Sequence, residues 1–318
     1  MISIIIPVYN GEKYICDIYA NIKKANYDGE YEIIFINDGS KDRSAEILDK
    51  LSEEDSSVKV IHQQNKGVCV ARNAGLDNAS GEYICFLDVD DAIDVNYFKI
   101  FMDCIERENV EVAFCYMTPE AEEVNPDCLE YVFYNRNEAL SDFLMRKFQI
   151  GVCGLLVARD VIAKNHLRFM EGYKYGEDLH MAWKIFNSVD RMVYIKAPLY
   201  IYKQNEGSTM TRIDASKLDA ITIMDELERY FQATNEEFYP LFKQYATARN
   251  AWAILWQAVR FLDWKGFKEF LNLHDFKTEM KKLYSFPDVR VKLSATCFVF
   301  STRIYYILVK MMVKNYRR

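Results

Sequence analysis

The first third of the chain alternates short apolar runs with amphipathic stretches of about ten to fifteen residues, and few folds accept that rhythm. Ile2-Ser3-Ile4-Ile5-Ile6 is a continuous β-branched run ended by Pro7, as expected of a strand buried on both faces. Further strands are expected over 31–37, 58–62, 83–87 and 110–115. Helices are expected over 12–26, 42–52, 68–79 and 94–107, with Asp94 available to cap the last. Strand–helix–strand units of this kind are right-handed and build a parallel sheet. Ligands in such sheets sit beyond the carboxyl ends of the strands.

Those ends are polar. The first strand exits into Pro7-Val8-Tyr9-Asn10 and the second into Asn37-Asp38-Gly39-Ser40; Gln64-Asn65-Lys66-Gly67 follows the third. The fourth exits into Asp88-Val89-Asp90-Asp91. A strand turns alternate side chains the same way, so Asp88 and Asp90 share a side. Two ionised carboxylates so placed repel unless a cation lies near them. Hard Mg2+ or Mn2+, with diphosphate oxygens as co-ligands, is the usual solution. A lone D-x-D is more often a solvated acidic loop, and Asp91 serves equally well as a cap. Four polar exits on one rim make a single site the better reading.

In order and spacing, these segments resemble family 2 glycosyltransferases of the GT-A fold: Ser3–Asn10, Asn37–Asp42, Asn65-Lys66-Gly67-Val68-Cys69-Val70-Ala71-Arg72-Asn73-Ala74-Gly75 and Phe86–Asp91. The likeness is dense to about residue 115 and thinner to about 210. It implies an α/β fold with a Rossmann-like, mostly parallel sheet flanked by helices, followed by a helical C-terminal region. It further implies a nucleotide-sugar donor, most often linked to UDP. By this resemblance Pro7, Val8 and Tyr9 line the base and ribose, and Asp38 bonds the uracil edge. Asn65, Lys66, Gly67 and Arg72 contact the donor, Asp88 and Val89 lie against ribose or sugar, and Asp90 holds Mn2+ or Mg2+.

Gly172-Tyr173-Lys174-Tyr175-Gly176-Glu177-Asp178 resembles the Glu-Asp motif of the same family. Inverting transfer needs a carboxylate that takes the acceptor hydroxyl's proton. Asp178 is the candidate base, and Glu177 a neighbour that orients or binds acceptor. The competing reading is that both acids merely favour a helix N-terminus. Asn205-Glu206-Gly207-Ser208-Thr209, after the aromatic strand at 200–202, resembles the family's loop near the donor phosphates; a solvated connection is the alternative. Gln257-Ala258-Val259-Arg260-Phe261 echoes the Gln-x-x-Arg-Trp motif of processive members. It lacks the Trp, lies 79 positions past Asp178, and is read as coincidence. A non-processive enzyme adding one sugar follows.

Beyond 118 a strand at 129–135, a helix at 138–148, a strand at 155–159 and a helix at 179–187 are expected. Helices are expected again over 215–234, over 236–264 with a break near Pro240, and over 266–284. The expected division is a catalytic domain over 1–212, helices over 213–288 and a basic tail helix over 289–318. That tail carries seven cations and no acid, which leaves −14 on the preceding residues. On one helix Lys292, Arg303, Lys310, Lys314 and Arg317 form a stripe opposite Phe298, Tyr305, Leu308, Val309, Met312 and Tyr316. Arg303 interrupts the apolar run short of the ~18 residues a spanning helix needs. An amphipathic helix lying on an anionic membrane fits, and packing on its own domain is the alternative. No nucleic-acid motif accompanies the patch.

Eight cysteines never form a C-x-x-C pair and several lie in apolar runs, which reads as buried thiols in a reducing compartment. Met1-Ile2-Ser3 runs straight into a strand without a basic leader. The expected location is cytoplasmic, peripheral on the inner face of the membrane. The expected acceptor is a lipid-linked glycan of surface-polysaccharide assembly. A soluble glycosyltransferase acting on a protein or small molecule, and a non-catalytic nucleotide-sugar-binding module, are the rivals. The sugar and the oligomeric state are left open, homo-oligomers included.

Overall fold

The β-branched runs become strands covered on both faces. Ile4, Ile5 and Ile6 of β1 (Ile2–Val8) and Ile33, Ile34, Phe35 and Ile36 of β2 (Tyr31–Asp38) are all 0% exposed. Each such side chain contributes about 1.5–3 kcal/mol by leaving water. The computed structural model describes residues 1–122, 124–148, 150–203 and 212–315. The remaining strands are β3 (Val58–Gln63), β4 (Tyr83–Phe86), β5 (Ala92–Ile93), β6 (Val112–Thr118), β7 (Tyr131–Asn135), β8 (Leu155–Ala158) and β9 (Arg191–Ile201). They form one mixed sheet in the order β3-β2-β1-β4-β8-β6-β9-β5, with β7 also paired to β9. The first four strands are parallel to one another. β8 enters antiparallel between β4 and β6.

The helices of this half follow the expected alternation: α1 (Ile15–Lys23), α2 (Ser44–Glu54), α3 (Val68–Asn78), α4 (Tyr97–Glu108), α5 (Arg136–Met145), α6 (Arg159–Lys164) and α7 (Glu177–Asn187). α3 lies close against the sheet. A Cβ added to Gly75 would stand 2.3 Å from Ile5 Cγ2 and 3.0 Å from Ile36 Cδ1. This contact fixes α3, and with it Arg72, relative to the strand ends. Asp94 accepts from Asn96 N (2.7 Å) just ahead of α4. Of β9 only the aromatic end was anticipated. Its Lys196, Pro198 and exposed Arg191 interrupt the apolar run that announces the other strands.

The C-terminal helices are α8 (Asp219–Thr234), α9 (Tyr239–Phe261), α10 (Trp264–Leu271), α11 (Phe276–Lys282), α12 (Val289–Phe300) and α13 (Thr302–Asn315). Pro240 stands in the first turn of α9, where its missing N–H costs nothing, so the expected break is a helix start. The single helix expected over 266–284 is two, because Asp275 caps α11 by accepting from Thr278 N at 3.2 Å.

The expected continuous tail helix is likewise two. Asp288 caps α12 through Arg290 N (2.8 Å), and Ser301 is extended (φ −155°, ψ 110°) before α13 begins. The predicted stripe does not survive this break. Lys310 Nζ donates to Val259 O (2.8 Å) and Leu262 O (2.9 Å), closing the end of α9. Phe298, Tyr305 and Val309 are buried, whereas Leu308 and Met312 are exposed.

Two compact units result. One comprises Met1–Leu140, Phe148–Gly172 and the run from Asp178 to the end of β9. The other comprises Ser141–Lys147, Tyr173–Glu177 and the described chain from 212 onward. Residues 289–315 pack within the second unit rather than forming a separate element. Among the described residues no helix is long and apolar enough to cross a membrane.

Candidate active site

Two tight corners shape the rim of the first unit. At the end of β2, Asp38 is 3% exposed, and Gly39 has φ +68° with a Cβ position 2.6 Å from Asn65 N. Only glycine fits that approach. Asp38 Oδ1 accepts from Gln63 Nε2 (2.8 Å) and Lys66 N (2.9 Å), and Oδ2 accepts from Gly67 N (2.8 Å). The carboxylate thus draws the loop from β3 to α3 onto β2. Of its roughly four acceptor directions, one remains. Asn65, Lys66 and Gly67 are exposed. At the end of β1, Tyr9 is 49% exposed and Pro7 half-buried, but Val8 is 1% exposed. Pro7 and Tyr9 therefore present side chains there; the Val8 side chain belongs to the core.

Arg72 departs most from expectation. Five residues into α3 it is 2% exposed, and its guanidinium spans two carboxylates instead of reaching outward. Nη2 donates to Asp88 Oδ1 at 2.9 Å and Nη1 to Asp178 Oδ1 at 2.6 Å. The Phe169 ring lies 5.3 Å from the same group. The physical reason is the close seat of α3 on the sheet, which points this position inward. Its charge is committed to Asp88 and Asp178, so Lys66 is the exposed cation of the expected donor segment.

Asp178 stands in the first turn of α7 beside Glu177, which is half-buried. Gly176 (φ +91°) precedes them, and its Cβ would stand 2.9 Å from Ala220 Cα. Burial raises the Asp178 carboxyl above its ordinary range, the Asp88 charge adds to this, and Arg72 opposes it. Asp178 Oδ2 faces Gly151, whose Cβ would lie 3.4 Å away. No donor among the described residues occupies that oxygen.

Asp88, Val89 and Asp90 are each half-buried at the end of β4. Asp91 turns inward at 3% exposure and caps no helix. Tyr200 Oη donates to Asp91 Oδ2, Lys203 N donates to Oδ1 (2.9 Å), and Asp88 N donates to Tyr200 Oη (3.4 Å). Burial pushes Asp91 up to about 7, with Asp88 and Asp90 adding to it. Asp91 and Tyr200 thus fasten the acidic turn to β9. Asn73 does the same for the segment leading to α7, through Phe169 N (2.9 Å) and Phe169 O (3.0 Å). Neither Tyr200, Asn73 nor Gly151 was singled out beforehand; the neighbour relation Arg72-Asn73 was the available signal.

Among the described residues, no three His, Cys, Asp or Glu side chains converge as a metal cage. Asp90, with Asp88 beside it, still fits a hard divalent ion held by one or two carboxylates plus substrate phosphate oxygens. The glycine-containing segment 205–209 lies outside the described residues.

Comparison with known proteins adds four findings. The family model Glycosyl transferase family 2 matches residues 3–163. The uncharacterised glycosyltransferase EpsJ of Bacillus subtilis is 29% identical, over 73% of this chain and 68% of its own. Staphylococcus aureus TarS 1–349, solved with UDP-GlcNAc, shares the fold at a TM-score of 0.69 and 19% identity, over 99% of this chain and 91% of that one. The mannosyltransferase PcManGT of Pyrobaculum calidifontis, solved with GDP-Man and Mn2+, does so at 0.56 and 15%, over 98% and 84%.

Proposed function

The chain belongs to glycosyl transferase family 2 and is a glycosyltransferase, and we propose that it is inverting, metal-dependent and non-processive. It moves one sugar from a UDP-linked donor to the hydroxyl of a lipid-linked glycan in surface-polysaccharide assembly. The observation that carries this reading is the Arg72 bridge. It ties the acidic end of β4 to the first turn of α7, so carboxylates 90 positions apart in sequence share one guanidinium. The UDP-GlcNAc in TarS and the Mn2+ in PcManGT support the donor and metal classes.

In this mechanism Asp178 Oδ2 takes the proton of the acceptor hydroxyl as that oxygen attacks the anomeric carbon. A carboxyl raised by burial is the better base near neutrality. Glu177 orients the acceptor. Pro7 and Tyr9 hold the base and ribose, Asp38 offers its last acceptor direction, and Asn65, Lys66 and Gly67 meet the donor. Asp88 and Val89 lie against ribose or sugar. Asp90 would hold a divalent ion, whose positive charge would stabilise the departing diphosphate. Lys66 adds to that charge electrostatically.

Melting the full chain with a panel of nucleotide sugars, with and without Mn2+, tests the donor and the metal together. A UDP-sugar plus Mn2+ should raise the midpoint by several degrees, since a donor present at about 100 times its Kd stabilises by about 2.7 kcal/mol. Asp90→Ala should remove the Mn2+-dependent part. A donor response equal with and without Mn2+ in both proteins refutes the metal assignment.

Association with an anionic membrane is part of the same reading. Phe300 is 84% exposed, and Ile304, Ile307, Leu308, Met311 and Met312 are 45–54% exposed beside the exposed Arg303. The inserting face is therefore this one, rather than Phe298, Tyr305 and Val309. The chain should float with phosphatidylglycerol liposomes. Ile307→Asp with Leu308→Asp should cut the bound fraction at least tenfold, because each apolar side chain carries about 1.5–3 kcal/mol on full burial. Unchanged flotation would remove the membrane from the proposal.

A further inference from the structure

In the second unit a buried cation lacks an anion. Arg249 on α9 is 8% exposed, and its Nε and Nη1 are buried without an acceptor. Among the described residues no carboxylate lies within ion-pair distance of it. Its guanidinium is stacked 4.4 Å from the Trp252 ring and 6.0 Å from that of Phe286. Burial pushes its pKa down to about 9, and the next cause is a second cation, Arg146. The other charges that bear on it are Asp288 and Arg290. Asp288 is already engaged: it accepts from Arg290 N and Val291 N at the start of α12 and pairs with the Arg290 guanidinium at 2.9 Å.

Arg146 is itself placed against its backbone preference. It closes α5 with φ +54°, while Arg146 N donates to Phe143 O and Lys147 N to Asp142 O, each at 3.0 Å. Glycine normally takes that left-handed position, because a Cβ is strained there. Strain of this kind persists only where the surrounding structure holds it in place. The Arg146 guanidinium turns to α9, where Nη2 donates to Asn250 Oδ1 at 3.4 Å. Asn250 in turn donates to Ala220 O. Arg146 is half-buried and is the more exposed of the two.

A buried guanidinium with two unmet donors and no carboxylate, beside a second cation, forms a poor hydrophobic core and a good anion receptor. Buried donors left unmade carry their full desolvation cost, and an oxyanion removes it. We infer that Arg146 and Arg249 form a binding site for a phosphate or phosphate ester. The planar fork of arginine matches phosphate oxygens, and a dianion balances two cations where a single carboxylate would not. This inference does not rest on the donor or base assignments, since every group in it belongs to the second unit.

The test adds inorganic phosphate, glycerol 1-phosphate or phosphatidylglycerol vesicles to the full chain, and reads the melting midpoint and the arginine Nε–H NMR signals. Arg146→Gly and Arg249→Met are compared in parallel. Both variants should melt no lower than the parent without phosphate, because one relieves left-handed strain and the other removes a buried charge. In the parent, at least one of the three probes should raise the midpoint by about 3 °C or more and shift one buried Nε–H. Acetate should not do so. A response to soluble phosphates assigns the source to solution, and one confined to vesicles assigns it to a lipid headgroup. Either supports the site if both variants lose it. A response that persists in both variants, or none to any probe, overturns it.

Discussion

Asp178→Asn should bind UDP with the parent's affinity and transfer sugar about 10²–10⁴-fold more slowly, the span that a positioned general base contributes. The substitution keeps size and shape. Asn retains an oxygen to accept from Arg72 Nη1, so the link to Asp88 and the seat of α7 should persist. What changes is the atom facing Gly151: Oδ2 is an open acceptor in the parent and becomes an amide donor. The pH profile supplies a second readout. A base works only when deprotonated, so kcat/KM falls as pH drops through its pKa. Burial, with Asp88, raises that pKa above the ordinary aspartate value of 3.8. The acid limb of the parent should therefore lie above 3.8, and the Asn variant's residual rate should lack it. Turnover within tenfold of the parent would move the base elsewhere, with the adjacent Glu177 the first alternative.

How much of this was legible beforehand follows from range. The strands whose burial is continuous announce themselves, because β-branched runs such as Ile4-Ile5-Ile6 have few other fates. The polar exits at 7–10, 37–40, 64–67 and 88–91 were legible for the same reason: each follows such a run. The direction of Arg72 was not. It depends on Gly75 letting α3 sit within 2.3 Å of a would-be Cβ clash with Ile5, a contact between residues 70 positions apart. Asp38 shows the same limit: its bonds to Lys66 N and Gly67 N depend on pairing between β2 and β3. The tail failed differently. A hydrophobic period identifies a helix but not its breaks, and Ser301, with caps at Asp288 and a closing Lys310, redistributed which apolar residues face inward.

Arg72→Met should be the other severe change, and its pattern distinguishes a bridge from a donor contact. Loss of one partner from a fully buried ion pair costs about 3–5 kcal/mol. The Asp88 and Asp178 side chains are 36% and 33% exposed, so solvent screens them and about 1–3 kcal/mol is the reasonable expectation. That should appear as a melting midpoint several degrees lower. Two carboxylates would then face each other with no cation between them. Because Arg72 holds the Asp178 pKa down, its removal should move the acid limb of the pH–rate profile upward, toward neutrality. Transfer should fall at least a hundredfold, mostly in kcat, because the base loses the bond that orients it. Arg72→Lys should recover only part of this, since a point charge lacks the fork that reaches both carboxylates. If Arg72→Met instead weakened UDP binding at least tenfold while leaving kcat and the acid limb in place, Arg72 would swing to the diphosphate on donor binding. The resemblance would then have placed it better than the bridge described above.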